Sequence, residues 1–328
     1  MTAPGPTGGA AGTAGGLRAA LAERRFAVTA EIGPPRGADP AAVAEKAALL
    51  RGWVDAANVT DNQGAHVRMA SLAGSLLAAR AGVAPVMQLT CRDRNRIALQ
   101  SDLLAAGALG IPHVLLLTGD HPCFGDHPDA APVFDLDSVQ LVWAARTLRD
   151  EGRLLSGRTV APRPEFLIGA VENPFAPPVR FRAARLGKKI AAGAEFAQTQ
   201  FVFDVPGFDR FMAAVRDRGL DGRCAVLAGV GPIRSLAALE FVRTKVPGVY
   251  VPDEVVRRLR GVPRDRVAAE GVRLCVETIE ALRAIPGVAG VHVMAFGYER
   301  GVPEILERAG FRRDRAGRLP VGGGVGAG

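Results

Sequence analysis

Short apolar runs recur along this chain, each followed by enough residues for one helix. Eight of them, at 26–30, 56–59, 85–89, 113–117, 166–170, 196–201, 224–228 and 290–294, read as buried strands. The stretches between them carry helix start and stop signals. Asp39-Pro40 supplies a cap and a first-turn proline for a helix over 41–51. Asp93 can cap a helix over 94–109, with Ile97, Leu104 and Ala108 on one face and Gly110 and Pro112 to stop it. Pro177-Pro178 opens a helix over 179–192 that Gly193 ends. Further helices fit 68–81, 138–149, 208–218, 235–244 and 266–284, with a short extra one at 253–260.

Eight strands alternating with helices predict an α/β fold, a single-domain (β/α)₈ TIM barrel over residues 17–314. Residues 1–16 and 315–328, rich in Gly and Ala, read as flexible tails. A doubly wound sheet is the alternative. Its usual glycine-rich first turn is here Gly33-Pro34-Pro35-Arg36-Gly37, where prolines remove the donors a phosphate needs.

Composition narrows the class. Hydrophobic residues make up 48% of the chain, so a large core is available. No apolar run is long enough to span a membrane and no basic-then-apolar leader begins the chain, which reads as soluble and cytoplasmic. Four dispersed cysteines exclude a disulfide scaffold and a cysteine-rich zinc module. The net charge of +8 comes mostly from Arg, with Lys only at 46, 188, 189 and 245. The arginines are dispersed and aromatics are only 5%, which argues against nucleic-acid binding.

A barrel carries its active site at the C-terminal ends of its strands. Those ends hold Glu31, Thr60 with Asp61, Gln88 with Thr90, Thr118-Gly119-Asp120, Glu172-Asn173, Gln200, Gly229-Val230-Gly231 and, beyond strand eight, Phe296. A carboxyl at the end of an apolar strand is partly withdrawn from water, as suits a general acid, although Glu31 could equally form a salt bridge with Arg36 or Arg92. Gly119 would let a flat ligand approach the backbone, and Asp120 could accept hydrogen bonds from a ring or simply cap a turn. The run His121 to His127 has the residue types of a metal site but is broken by proline and lacks helical spacing, so no metal is expected. Lys188 and Lys189 could complement a helix dipole or reach an anionic cofactor.

Thr29-Ala30-Glu31-Ile32-Gly33-Pro34-Pro35, Asn58-Val59-Thr60-Asp61, Gln88-Leu89-Thr90-Cys91-Arg92-Asp93, Leu117-Thr118-Gly119-Asp120, the stretch from Ala192 through Thr199-Gln200-Phe201 to Asp204, and Ala228-Gly229-Val230-Gly231-Pro232-Ile233 follow one another in order. Together they resemble the flavin-dependent methylenetetrahydrofolate reductases, short bacterial form. The resemblance implies a barrel that holds FAD and reduces 5,10-methylenetetrahydrofolate to 5-methyltetrahydrofolate. It makes Glu31 the general acid and places Asp120 beside flavin and pterin. It gives Gln200 to the pterin and puts Phe241 near the folate-stacking phenylalanine. Thr60, Gln88, Thr118, Gly119, Asn173 and Lys189 fall at cofactor positions. Departures occur at Ile32-Gly33, Gln88, Thr118, Gly169 and Asn173, several of them around the cofactor. They resemble members that take electrons through a partner subunit rather than directly from NAD(P)H, so a homo-oligomer or a hetero-complex is expected. A non-catalytic flavin- or pterin-binding subunit and a pterin-dependent methyl-transfer barrel are the alternatives.

Overall fold

The computed structural model describes residues 16–311 except Pro247 and Phe296; the expected tails, apart from Gly16, and the site position at Phe296 lie outside the described residues. Eight parallel strands close in sequence order into one barrel. They are β1 (Ala27–Ile32), β2 (Ala56–Val59), β3 (Pro85–Thr90), β4 (His113–Leu117), β5 (Leu167–Glu172), β6 (Phe196–Phe201), β7 (Ala225–Val230) and β8 (Val288–Val293). β8 returns to β1 with Thr29 opposite His292. The barrel predicted from the apolar runs is the fold.

The outer layer contains α2 (Pro40–Leu50), α3 (Ser71–Arg80), α4 (Arg96–Ala108), α5 (Ser138–Arg146), α6 (Arg182–Ala192), α7 (Val205–Arg216), α8 (Leu236–Lys245), α9 (Asp253–Arg260), α10 (Val267–Arg283) and α11 (Val302–Arg308), preceded by α1 (Leu17–Ala22). Asp39 caps α2 as expected, by accepting from Ala41 N. Two expectations about α4 fail. Its cap is Asn95, which accepts from Ile97 N and Ala98 N, because Asp93 is held by Arg92 and Asn62. Its buried face is Leu99, Leu103 and Ala106, whereas Ile97 is 75% exposed. The helix expected over 179–192 begins as a 3₁₀ turn, Val179–Phe181, before α6.

The barrel interior is layered, because alternate residues of each strand point inward. At the N-terminal end, Ala27, Ala56, Val86, Leu115, Leu167, Phe196 and Leu227 form one apolar cluster with Leu17 and Ala20 of α1. Gly169 accommodates the Phe196 ring there: a Cβ at Gly169 would lie 2.2 Å from Phe196 Cζ. Among the next inward positions, Thr29, Asn58, Gln198 and His292 are polar, buried and linked to one another by hydrogen bonds. Buried polar groups require such partners, so this layer forms a rigid hydrogen-bonded floor beneath the C-terminal mouth.

Candidate active site

The mouth of the barrel opens into a cleft of about 1350 Å³ including its open side. Glu31, Gln88, Thr118, Gly119, Asp120, Asn173, Lys189 and Gln200 all line it, so the fold assembles most of the sequence-derived candidates in one cavity. Thr60 and Phe241 are not among its lining residues. Thr60 is buried at the end of β2 with its hydroxyl unpartnered. Phe241 is 55% exposed on α8.

Glu31 follows Thr29 on the inward face of β1, and its side chain is 14% exposed. Neither arginine considered as its partner reaches it in a salt bridge; Arg92 is committed to Asp93 at 2.7 Å. Its nearest ionisable neighbour is His292, with Nε2 3.5 Å from Glu31 Oε1. His292 and Gln198 were missed in the sequence. The available signal was a polar residue two positions before Met294 and before Gln200, and so on the same inward face of its strand.

Gly119 has φ of +89°, and a Cβ there would lie 3.1 Å from Thr90 Cβ and 3.2 Å from Arg92 Cβ. The backbone itself requires glycine at this turn. Arg92 Nη1 donates to the Asp120 backbone carbonyl at 3.2 Å, which fixes the turn and leaves the exposed Asp120 carboxylate at the cleft wall. Asp61 braces the same wall, accepting from Thr90 N and Oγ1, both at 2.9 Å, and from Arg94 at 2.7 Å. Asn173 donates to the Gly248 carbonyl at 3.0 Å and accepts from Phe175 N at 3.1 Å.

Lys189 differs most from its expected role. Its side chain is 2% exposed and Nζ lies 3.1 Å from Glu172 Oε2, on a carboxylate 1% exposed. The same ammonium donates to the Val171 carbonyl. Burial pushes the Lys189 pKa down, opposed by the Glu172 charge. Lys189 is therefore already neutralised within the protein. Arg185 also lines the cleft, and no salt bridge found among the described residues includes it.

In the loop from His121 to His127, His121 Nδ1 accepts from Cys123 N and Asp126 accepts from Val67 N. Among the described residues no cluster of three or more His, Cys, Asp or Glu is arranged to hold a metal ion. Among the same residues, no helix is long and apolar enough to cross a membrane.

A family model for methylenetetrahydrofolate reductase matches residues 16–310. A 5,10-methylenetetrahydrofolate reductase of Pectobacterium carotovorum is 28% identical over 239 residues, covering 72% of this chain and 73% of that protein. A probable NADPH-type methylenetetrahydrofolate reductase of Caenorhabditis elegans is 25% identical over 243 residues, covering 74% of this chain but only 34% of its own length. The match thus spans about a third of that longer relative. Among solved structures, an uncharacterized Clostridium thermocellum protein that binds two copies of 5-methyl-5,6,7,8-tetrahydrofolic acid superposes with a TM-score of 0.63 at 13% identity, over 89% of this chain and 96% of that one, a likeness of fold.

Proposed function

The chain belongs to the methylenetetrahydrofolate reductase family, and from that premise we propose that it reduces 5,10-methylenetetrahydrofolate to 5-methyltetrahydrofolate in the cleft at the barrel mouth. The observation that carries this reading is the placing of a mostly buried carboxyl, Glu31, in the same cavity as the exposed carboxylate of Asp120 and the amide of Gln200. Glu31 gives a proton to N10 of the folate as the N10–methylene bond breaks, leaving a cationic N5 iminium. Asp120 stabilises that cation in a site where water is partly excluded. Gln200 hydrogen-bonds the pterin and orients it. A hydride then reaches the methylene carbon and completes the methyl group.

The lining suits a flat anionic cofactor such as FAD: Gly119 lets a ring approach the backbone, and Arg185 offers a cation to a diphosphate. When bound, FAD supplies the hydride. Gln88, Thr118, Gly119 and Asn173 would hold the flavin end, and Arg185, rather than the neutralised Lys189, the diphosphate. Electrons come from NAD(P)H or from a partner subunit. The Glu172–Lys189 pair also favours a second reading of the donor. With that ammonium spent, a dinucleotide is held less tightly at its phosphates, and NAD(P)H itself would deliver the hydride and leave. Turnover by a protein purified without flavin absorbance selects the second reading.

Glu31→Gln tests the shared step. General acid catalysis contributes about 10²–10⁴-fold, so methylene reduction should fall by that factor while folate binding persists. A variant with wild-type turnover removes Glu31 from the mechanism.

A further inference from the structure

One side chain, Arg92, ties together the three consecutive loops that follow β2, β3 and β4 at the barrel mouth. Its Nε donates to Asp93 Oδ1 at 2.7 Å and its Nη2 to Asp93 Oδ2 at 2.8 Å. Nη2 also donates to the Asn62 carbonyl at 3.2 Å, and Nη1 to the Asp120 carbonyl at 3.2 Å. Arg92 is 2% exposed and lines the cleft with Asn62 and Asp120, whereas Asp93 is not among the lining residues. The rigid guanidinium fork thus divides its donors: the Asp93 carboxylate takes the charge, and two backbone carbonyls take the remaining bonds. Among the described residues no hydrogen bond or ion pair joins Arg92 to the Asp120 carboxylate. The Asp120 charge still acts on the guanidinium, so the two are within electrostatic reach. Partial burial pushes the Asp93 pKa up, but the Arg92 hydrogen bonds and charge bring it below the ordinary carboxylate value, so the pair is ionised on both sides.

We propose that Arg92 is a positioning residue for Asp120, and that Asp93 keeps the charge of Arg92 from cancelling the Asp120 carboxylate. The inference rests on Asp120 stabilising the cationic iminium. A cation that forms in the cleft gains from a neighbouring carboxylate only while no protein cation has already neutralised it. A bare guanidinium at this turn would do so. Bonded twice to Asp93, it brings almost no net charge and holds the turn through the Asp120 carbonyl alone. The turn needs a clamp because Gly119, at φ of +89°, leaves its backbone freer than any other residue would. The carboxylate is thereby fixed in place with its charge intact. Neither Arg92 nor Asp93 gives up or takes a proton in the reaction.

The test compares the rate of methylene reduction with the Kd for 5-methyltetrahydrofolate in full-length variants. Contacts to a charged group are worth about 10- to 100-fold, so Asp93→Asn, which bares the guanidinium, should slow reduction by that factor. The Kd should stay within about twofold of wild type, because the product carries no iminium charge. Arg92→Gln removes the cation but keeps an N–H for the turn, and should slow reduction only about 2- to 10-fold. Adding it to Asp93→Asn should raise the rate to that of Arg92→Gln alone, whereas a purely structural loss deepens with the second substitution. In an Asp120→Asn background neither change should slow reduction further. An Asp93→Asn protein as fast as wild type overturns the proposal, and so does a double variant no faster than Asp93→Asn. If Asp93→Asn does not fold, Arg92→Gln decides: equal losses with and without the Asp120 carboxylate overturn the proposal. The two readings fail separately. A wild-type rate in Asp120→Asn removes Asp120 from the mechanism, whereas a slow Asp120→Asn beside a fully active Asp93→Asn removes only the roles given to Arg92 and Asp93.

Discussion

Replacing Lys189 with Met separates a structural cation from a cofactor ligand. In the structure Lys189 and Glu172 are 2% and 1% exposed and 3.1 Å apart, so removing the ammonium strands a buried carboxylate. Breaking such a pair from one side costs about 3–5 kcal/mol. The Asn173 N–H at 3.1 Å and Arg182, whose Nη1 is 3.9 Å from Glu172 Oε1, remain as partial compensation, which places the loss near the lower end, about 3 kcal/mol. For a chain of 328 residues the urea slope lies at or above the upper end of the roughly 1–3 kcal/mol per M of small proteins, so the midpoint should fall by up to about 1 M. Glu172→Gln should also destabilise, because it leaves the ammonium without its counter-charge. The double variant should lose far less than the sum, since both charges are gone. Equilibrium urea unfolding of the four proteins, followed by circular dichroism, measures the coupling. A Lys189→Met protein as stable as wild type that has lost only cofactor affinity would refute the reasoning, because Lys189 would then be a free ligand cation.

Two predictions concern the barrel itself. Burial pushes the His113 pKa down to about 4 against the unfolded 6.5, while its ring bonds the Pro85 carbonyl at 3.0 Å. The unfolded chain binds the proton first, so stability is full above about pH 6.5 and falls progressively toward pH 4. Stability measured across that window should decline less when His113 is replaced by a non-titrating residue, and an unchanged slope contradicts this. Gly169→Ala forces a Cβ to 2.2 Å from Phe196 Cζ and should cost roughly 1–3 kcal/mol in thermal unfolding, partly recovered by Phe196→Leu; no change would mean that the inner layer yields freely.

The barrel was legible because each strand is an apolar run bounded by clear helix signals, and the positions of Glu31, Asp120 and Gln200 follow from the ends of those runs. What was not legible depends on neighbours in space. α4 is rich in Ala and Leu on several sides, so its sequence does not distinguish the Leu99–Leu103 face from the Ile97 face; packing against the barrel decides. Lys189 reads as a helix-end lysine until β5 brings Glu172 against it. His292 and Gln198 become meaningful only when the strands are in register and the polar layer of the barrel is assembled. α1 and α11 are short, at six and seven residues, and their burial against the barrel rather than any periodic pattern defines them.

The most direct test of the central claim is the visible spectrum of the purified, anaerobic protein before and after adding 5-methyltetrahydrofolate, which runs the folate half-reaction backwards without an electron donor. The account predicts a flavin band that bleaches as the methyl group is oxidised, and no bleaching in Glu31→Gln. A flavin band that persists in the wild-type protein would contradict the folate chemistry assigned to this cleft.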